Sequence, residues 1–176
     1  GNMFSKQYMA TLENITNDVI NLDATDDAKV RSLFTPNVRF IEVVEDGLSG
    51  GNVIPQDFTP NQDAFATTPE QFAAIKGNII KAGIVGRLVA KDYSGSMVWG
   101  DLIPESDVNK LDYQEVARQL EGIRAKYEDE NTSVHIIGFA KMVGDISDGA
   151  MSVIKFFLIT IAFTWVLLFL YSSSAK

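Results

Sequence analysis

The sequence has no cysteine and only one histidine, His135. Without thiols the chain can form neither a disulfide nor a thiolate-bound metal site, and a single histidine without a second ligand is weak evidence for zinc. No serine, histidine and aspartate stand at a spacing typical of nucleophilic catalysis. The sequence therefore predicts no catalytic residue, no metal site and no cofactor, and we expect no enzyme activity.

Basic residues are scarce as well. The chain has 15 lysines and arginines against 23 aspartates and glutamates, which gives a formal net charge of -8. Nucleic-acid binding needs clustered basic side chains, so we expect no nucleic-acid partner. Anionic lipid headgroups would also repel such a surface. These counts predict an acidic, water-soluble domain over residues 1–146.

Charged residues are missing from one long stretch, Phe156 to Ala175, which consists mainly of Phe, Leu, Ile, Val and Trp. About 20 such residues suffice for a helix to cross a hydrocarbon core of about 30 Å. A buried helix of a soluble protein would show a polar face, and this stretch offers only Thr160 and Thr164. We predict a transmembrane helix over residues 147–173, with Asp145 or Ser147 as its N-cap.

Apolar residues recur at spacings of three and four in two other segments. This periodicity predicts amphipathic helices over residues 4–22 and 112–130. The order Thr68-Pro69-Glu70-Gln71 has the form of a capping box with proline at the first helical position. It predicts a shorter helix that ends at Gly83 and Gly86.

Runs rich in β-branched and aromatic residues predict short strands, and the stretch 45–63, rich in glycine and proline, predicts a loop. The strands are expected at residues 30–34, 38–44, 86–91, 96–103 and 134–138, the third and fourth forming an antiparallel hairpin. This order predicts an α+β domain. Because no strand precedes the first helix, we expect a ferredoxin-like (split βαβ) domain that is incomplete at its N-terminus and carries a loop and short-helix insertion at residues 36–82.

The segment Val134 to Ile146 and the apolar helix after it resemble the entry into the second transmembrane helix of RND-superfamily exporters. The resemblance is to the hydrophobe/amphiphile exporters of the mycobacterial-membrane-protein-large-like branch. Three further stretches agree with it: Ser32 to Val38, the Glu45-Asp46-Gly47 turn, and Ile80 to Leu88 with its two glycines.

The resemblance implies a fold and a place for this chain. Such transporters have two similar halves, each with one transmembrane helix, a large ferredoxin-like porter domain outside the cytoplasm and five more helices. Residues 1–146 would be most of the first porter domain, 147–173 the second transmembrane helix and 174–176 its cytoplasmic end. The full protein would be a multi-pass protein of the bacterial inner membrane with residues 1–146 extracytoplasmic.

The resemblance also implies an activity and partners. The family uses the proton gradient to export lipids or other hydrophobic and amphiphilic compounds, through relay carboxylates in later helices that lie outside this chain. The expected partners are such cargo, membrane lipids, and the remaining transmembrane helices and second half of the same transporter. Assembly into a homo-oligomer is left open.

Two groups of residues are candidates for direct roles. Aromatic residues in or beside the predicted loop are expected either to line a cargo cleft or to anchor the loop on the core: Phe58, Phe65 and Phe72. Hydroxyl and indole side chains in the apolar helix are candidates for packing against neighbouring helices: Thr160, Thr164 and Trp165.

Two alternatives to the exporter stay open. The chain could be a single-span, membrane-anchored binding or adaptor domain that acts by itself. A membrane-bound hydrolase is disfavoured, because the sequence shows neither a triad nor a metal set.

Overall fold

A computed structural model describes residues 2–62, 67–104 and 110–174 of the chain. It confirms the α+β class, with a two-stranded antiparallel sheet and a long apolar helix at the C-terminal end. In chain order the named elements are α1 (Lys6–Ile20), β1 (Arg39–Val44), β2 (Gly47–Asn52), α2 (Pro69–Lys81), α3 (Tyr113–Tyr127) and α4 (Phe139–Ser174).

Helix α1 is amphipathic as predicted. Ser5 caps it, because its hydroxyl accepts a hydrogen bond from the Tyr8 backbone N–H at 3.2 Å. Its buried face carries Met9, Leu12 and Thr16. The Thr16 hydroxyl lies 2.7 Å from both the Leu12 carbonyl oxygen and the Ser32 hydroxyl. This buried polar pair is therefore satisfied inside the core.

The prediction of a loop at residues 45–63, within the insertion predicted at 36–82, is wrong for its first part. Residues 47–52 form a strand of a β-hairpin. The predicted strand 38–44 is confirmed as β1, which turns through Glu45 and Asp46 into β2 and pairs antiparallel with it. The glycine content of this stretch predicted a loop. In the structure, Gly50 and Gly51 let the backbone lie so close to Phe40 that a Cβ would be crowded. A Cβ on Gly50 would lie 2.8 Å from the Phe40 carbonyl oxygen, and one on Gly51 would lie 3.3 Å from the Phe40 ring.

Helix α2 begins with the predicted capping box. The Thr68 hydroxyl accepts from the Gln71 N–H at 3.3 Å, and the Gln71 side chain accepts from the Thr68 N–H at 3.0 Å. The helix ends at Lys81, where Gly83 takes a positive φ of 64°. The Lys81 ammonium pairs with Glu42 of β1 at 2.7 Å, which ties this helix to the hairpin.

The core of this part of the chain combines residues from α1, α2 and the segments between them. Its buried members are Met3, Met9, Leu12, Leu33, Val38, Val53, Ile54, Phe58, Ile75, Ile79 and Val89. Burial of such side chains supplies about 25 cal/mol per Å² of apolar surface. The loop segments 30–38 and 53–58 are therefore part of the core and not mobile connections.

Most of the other predicted strands are present only as single bridges. Arg31 pairs with Trp99 and Thr25 with Leu102, both antiparallel, and Val89 pairs with Ser96 across the predicted hairpin turn. A ferredoxin-like domain needs four strands in one sheet. Among the described residues the only named sheet has two strands, so the ferredoxin-like arrangement stays a prediction.

The chain divides into two compact units. The first contains the residues before 110 together with 125–134, and the second contains 110–124 and the residues from 135 onward. Within the first unit, Lys126 reaches Asp18 of α1 with 2.8 Å between ammonium and carboxylate.

Two predictions at the start of α4 are wrong. The segment 134–138 forms no strand, and α4 begins at Phe139, after Gly138 with a φ of 129°. Asp145 and Ser147 therefore lie inside the helix and do not cap it. Lys141 pairs with both Asp145 and Glu121, which stabilises helical structure ahead of residue 147, where the helix was predicted to begin.

Within the second unit, α3 meets α4 at Gly144. A Cβ on Gly144 would lie 2.3 Å from the Ala117 Cβ and 3.0 Å from the Tyr113 carbonyl oxygen. The rings of Tyr113 and Phe139 pack edge to face nearby, with centroids 5.6 Å apart. Glycine is thus required at position 144 for the two helices to touch.

We expect Gly144→Ala to destabilise the chain by about 1 to 3 kcal/mol, because the added methyl group overlaps Ala117. Gly149→Ala is the matched control on the same helix, since a Cβ there has no atom within 4 Å. It should stabilise the helix by about 0.5 to 1 kcal/mol through helix propensity. Thermal unfolding of the full chain in detergent, followed by circular dichroism, gives the melting temperature of each variant. Equal shifts of the two melting temperatures in the same direction would contradict the packing of α3 on Gly144.

Candidate functional site

The most unusual surface of the chain is the C-terminal part of α4. From Phe156 to Tyr171 its large apolar side chains are all exposed, including Phe157, Phe163 and Phe169. Among the described residues, α4 is the one helix long and apolar enough to cross a membrane. Patches of this size on soluble monomers are rare and mark contact with protein or lipid.

The length of α4 separates this surface into two zones. The helix has 36 residues, which at 1.5 Å per residue is about 54 Å. The stretch from Phe156 to Ser174 carries no charge and is about 28 Å long, close to the roughly 30 Å of a hydrocarbon core. All the charged residues of α4 lie in the part before Phe156, where they can meet water.

The three packing candidates lie within the uncharged stretch. The Thr160 hydroxyl donates to the Phe156 carbonyl at 2.9 Å, and the Thr164 hydroxyl donates to the Thr160 carbonyl at 2.8 Å. Both hydroxyls are thus satisfied within the helix, which lowers their cost in an apolar medium. Trp165 has 74% of its surface exposed. Their role in packing against other helices stays a prediction.

The three aromatic residues that were predicted to line a cleft differ in their positions in the structure. Phe58 is only 4% exposed and belongs to the core. Its ring packs edge to face against Phe72, with centroids 5.6 Å apart, and Phe72 is half-buried on α2. Phe65 lies outside the described residues. The structure therefore brings two of the three together, in the arrangement expected for residues that anchor the loop.

A shallow groove lies elsewhere, beside the hairpin. Its volume is about 420 Å³, and its walls include Phe40, Ile54 and the backbone of Gly50 and Gly51. Asn78 also lines the groove, and its side-chain amide donates to the Val53 carbonyl at 3.1 Å. Sequence reasoning missed this groove because the two glycines were assigned to a loop.

The titratable residues of the described part of the chain lie mainly at the surface. His135 is exposed in the irregular segment before α4. Across residues 2–62, 67–104 and 110–174, no group of three histidine, aspartate or glutamate side chains is placed to hold a metal ion. Asp26 pairs with Lys29 at 2.7 Å. The hydroxyl and the backbone N–H of Ser94 donate to the Asp92 carboxylate and lower its pKa. These hydrogen bonds stabilise the turn that begins at Asp92.

Comparison with known proteins gives no relative: no family model, no curated protein and no solved structure matches the chain.

We expect Phe58→Ala to lower the free energy of unfolding by about 3 kcal/mol, because it leaves a cavity in the core. The matched control is Ile80→Ala on α2, an exposed apolar site where the change should stay within about 0.5 kcal/mol. Urea unfolding of the full chain in detergent measures both. If Phe58→Ala unfolds like the unaltered chain but binds a fluorescent amphiphile more weakly, Phe58 serves a cargo cleft instead of the core.

Proposed function

We propose that this chain is the first porter domain and second transmembrane helix of a proton-driven exporter of the RND type. Its cargo would be lipids or other hydrophobic and amphiphilic compounds. The observation that carries the membrane part of this proposal is the uncharged stretch of α4, whose large apolar side chains are exposed from Phe156 to Tyr171. An aqueous environment would leave that surface without any favourable contact.

The exporter part of the proposal rests on the resemblance at the start of α4. The resembling segment, Val134 to Ile146, contains the point where α4 begins and the glycine at 144 on which α3 packs. Ser32 to Val38, a second resembling stretch, supplies the buried Ser32 hydroxyl and the core residues Leu33 and Val38. In the proposed exporter these residues would keep the structural roles that they have here.

In this proposal the first unit faces the periplasm and offers cargo a surface, and α4 holds it at the membrane. No charged group lies in the uncharged stretch of α4, so proton coupling falls to other helices of the transporter. Of the three cleft candidates, Phe58 belongs to the core, and the contribution of Phe65 and Phe72 to a cargo cleft stays a prediction. The domain itself performs no covalent chemistry, in keeping with a protein that moves its cargo unchanged.

A second function is a single-span adaptor that binds another protein. Its basis is that one apolar helix, α4, is enough to hold a domain at a membrane. The two functions differ in what surrounds this chain in its gene. The exporter predicts an apolar helix upstream and further apolar helices downstream, one with an aspartate at mid-membrane, and the adaptor predicts neither.

The direct test uses the full-length product of the gene in proteoliposomes. We expect an imposed pH gradient to drive a fluorescent amphiphile across the bilayer, because the proposed exporter couples cargo movement to proton flow. A protonophore should abolish the movement while the circular dichroism spectrum stays unchanged. If the protein is folded but the amphiphile distributes across the bilayer in the same way with and without the pH gradient, the exporter proposal is contradicted. The adaptor proposal then remains.

A further inference from the structure

The β1–β2 hairpin exposes apolar side chains on one face. Ile41 is 71% exposed, Val43 85% and Leu48 76%. Val43 lies directly opposite Leu48, and Ile41 opposite Gly50, so all three side chains share this face. These values are unusual for a strand, whose apolar face is normally covered.

The opposite face is engaged by the chain itself. Phe40 packs on Gly51 and lies under the Lys81 ammonium, which is 5.3 Å from the ring centroid. Glu42 on the same face holds Lys81 in the 2.7 Å ion pair. The charge of Glu42 is thus already compensated within the chain.

The outer edge of β1 is open. Across the described residues, the backbone of β1 forms strand pairing only with β2. A lone two-stranded sheet is marginally stable, and an unpaired edge is a template for another strand. The hairpin therefore has a free edge that a further strand could complete, and next to that edge it has exposed apolar side chains that could form cross-strand pairs.

The sequence of β1 is complementary to itself in one antiparallel register. When two copies pair with Glu42 opposite Glu42, Ile41 comes opposite Val43 twice. Arg39 then comes opposite Glu45, the first turn residue, also twice. Opposite charges and apolar pairs across strands are each stabilising.

Neighbouring registers lack this match. Centring the pair on Ile41 places Arg39 opposite Val43 and Phe40 opposite Glu42. Centring it on Val43 places Ile41 opposite Glu45. Both arrangements set a charge against an apolar side chain, which leaves the charge without a partner. The Glu42-centred register sets Glu42 opposite its own copy, but each Glu42 is already paired with Lys81. The two Arg39–Glu45 pairs and the two Ile41–Val43 pairs therefore favour this register.

We propose that β1 pairs edge to edge with β1 of a second copy of this chain, forming a four-stranded sheet in the order β2-β1-β1-β2. The acidic tip, Glu45 and Asp46, disfavours the alternative that the hairpin enters an anionic lipid surface. This pairing does not depend on the transport function, and it adds a specific contact surface to the chain.

Cysteine cross-linking tests the register, since the natural chain has no cysteine. Ile41→Cys and Val43→Cys are made in copies with different tags, and the two are co-expressed in membranes. A short thiol cross-linker should join the two tags, because paired Cβ atoms lie about 5 Å apart. Ile41→Cys alone should give much less product, since its two copies are offset diagonally by about 7 to 8 Å.

Leu48→Cys is the matched control. It is on the same exposed face, but in the proposed sheet its two copies are about 16 Å apart, since three strand spacings and an offset of two residues separate them. Cross-linking of Leu48→Cys as strong as that of the mixed pair would show non-specific association and overturn the proposal. Absence of the mixed product, with the thiol of Val43→Cys still open to a maleimide, would also overturn it. Protection of that thiol without cross-linking would overturn the self-pairing too, and would assign the edge to a different strand.

Charge reversal gives an independent measurement. Arg39→Glu and Glu45→Arg should each weaken self-association about tenfold, because two ion pairs become repulsive. The double variant should restore it, and Asp46→Arg, one residue further along the turn, should change it little. Sedimentation of the full chain in detergent reports the shift, and failure of the double variant to recover association would refute the register.

Discussion

The exposed apolar surface of α4 is the constraint on which the rest of the structure depends. Leaving one large apolar side chain in water costs about 1.5 to 3 kcal/mol. A dozen such side chains, each roughly half to three-quarters exposed between Phe156 and Leu170, sum to on the order of 10 to 20 kcal/mol. That is comparable with the whole stability of a typical domain, so this helix needs a medium or a partner that covers it.

The first unit, by contrast, buries a core of its own and pairs most of the polar groups inside it, with the buried Thr59 hydroxyl as an exception. Its core closes over α1 and α2, the buried hydroxyls of Thr16 and Ser32 bond each other, and Lys126 binds Asp18. Its net acidic surface suits water and not anionic lipid. The chain thus joins a water-adapted unit to a helix adapted to hydrocarbon, which is the physical basis for proposing that the unit is held at a membrane.

Local signals in the sequence predicted the helices well. The capping box at Thr68, the apolar periodicity of α1 and the uncharged stretch of α4 each depend on neighbouring residues, so they can be read from the chain. The predictions that proved wrong concern places where the structure depends on contacts between residues distant in the sequence. Gly50 and Gly51 form a strand because Phe40 packs on them, and α4 starts at Phe139 because Lys141 and Gly144 meet α3. The groove beside the hairpin was missed for the same reason.

The measurement that tests the membrane claim most directly is the depth of Trp165. Trp99→Phe leaves Trp165 as the sole tryptophan, within about 3 Å along the axis from the middle of the Phe156–Tyr171 stretch. In vesicles its fluorescence should be blue-shifted and quenched most by a spin label deep in the lipid chains. Emission as in water, with efficient quenching by aqueous iodide and none by the deep label, would contradict a membrane-spanning α4.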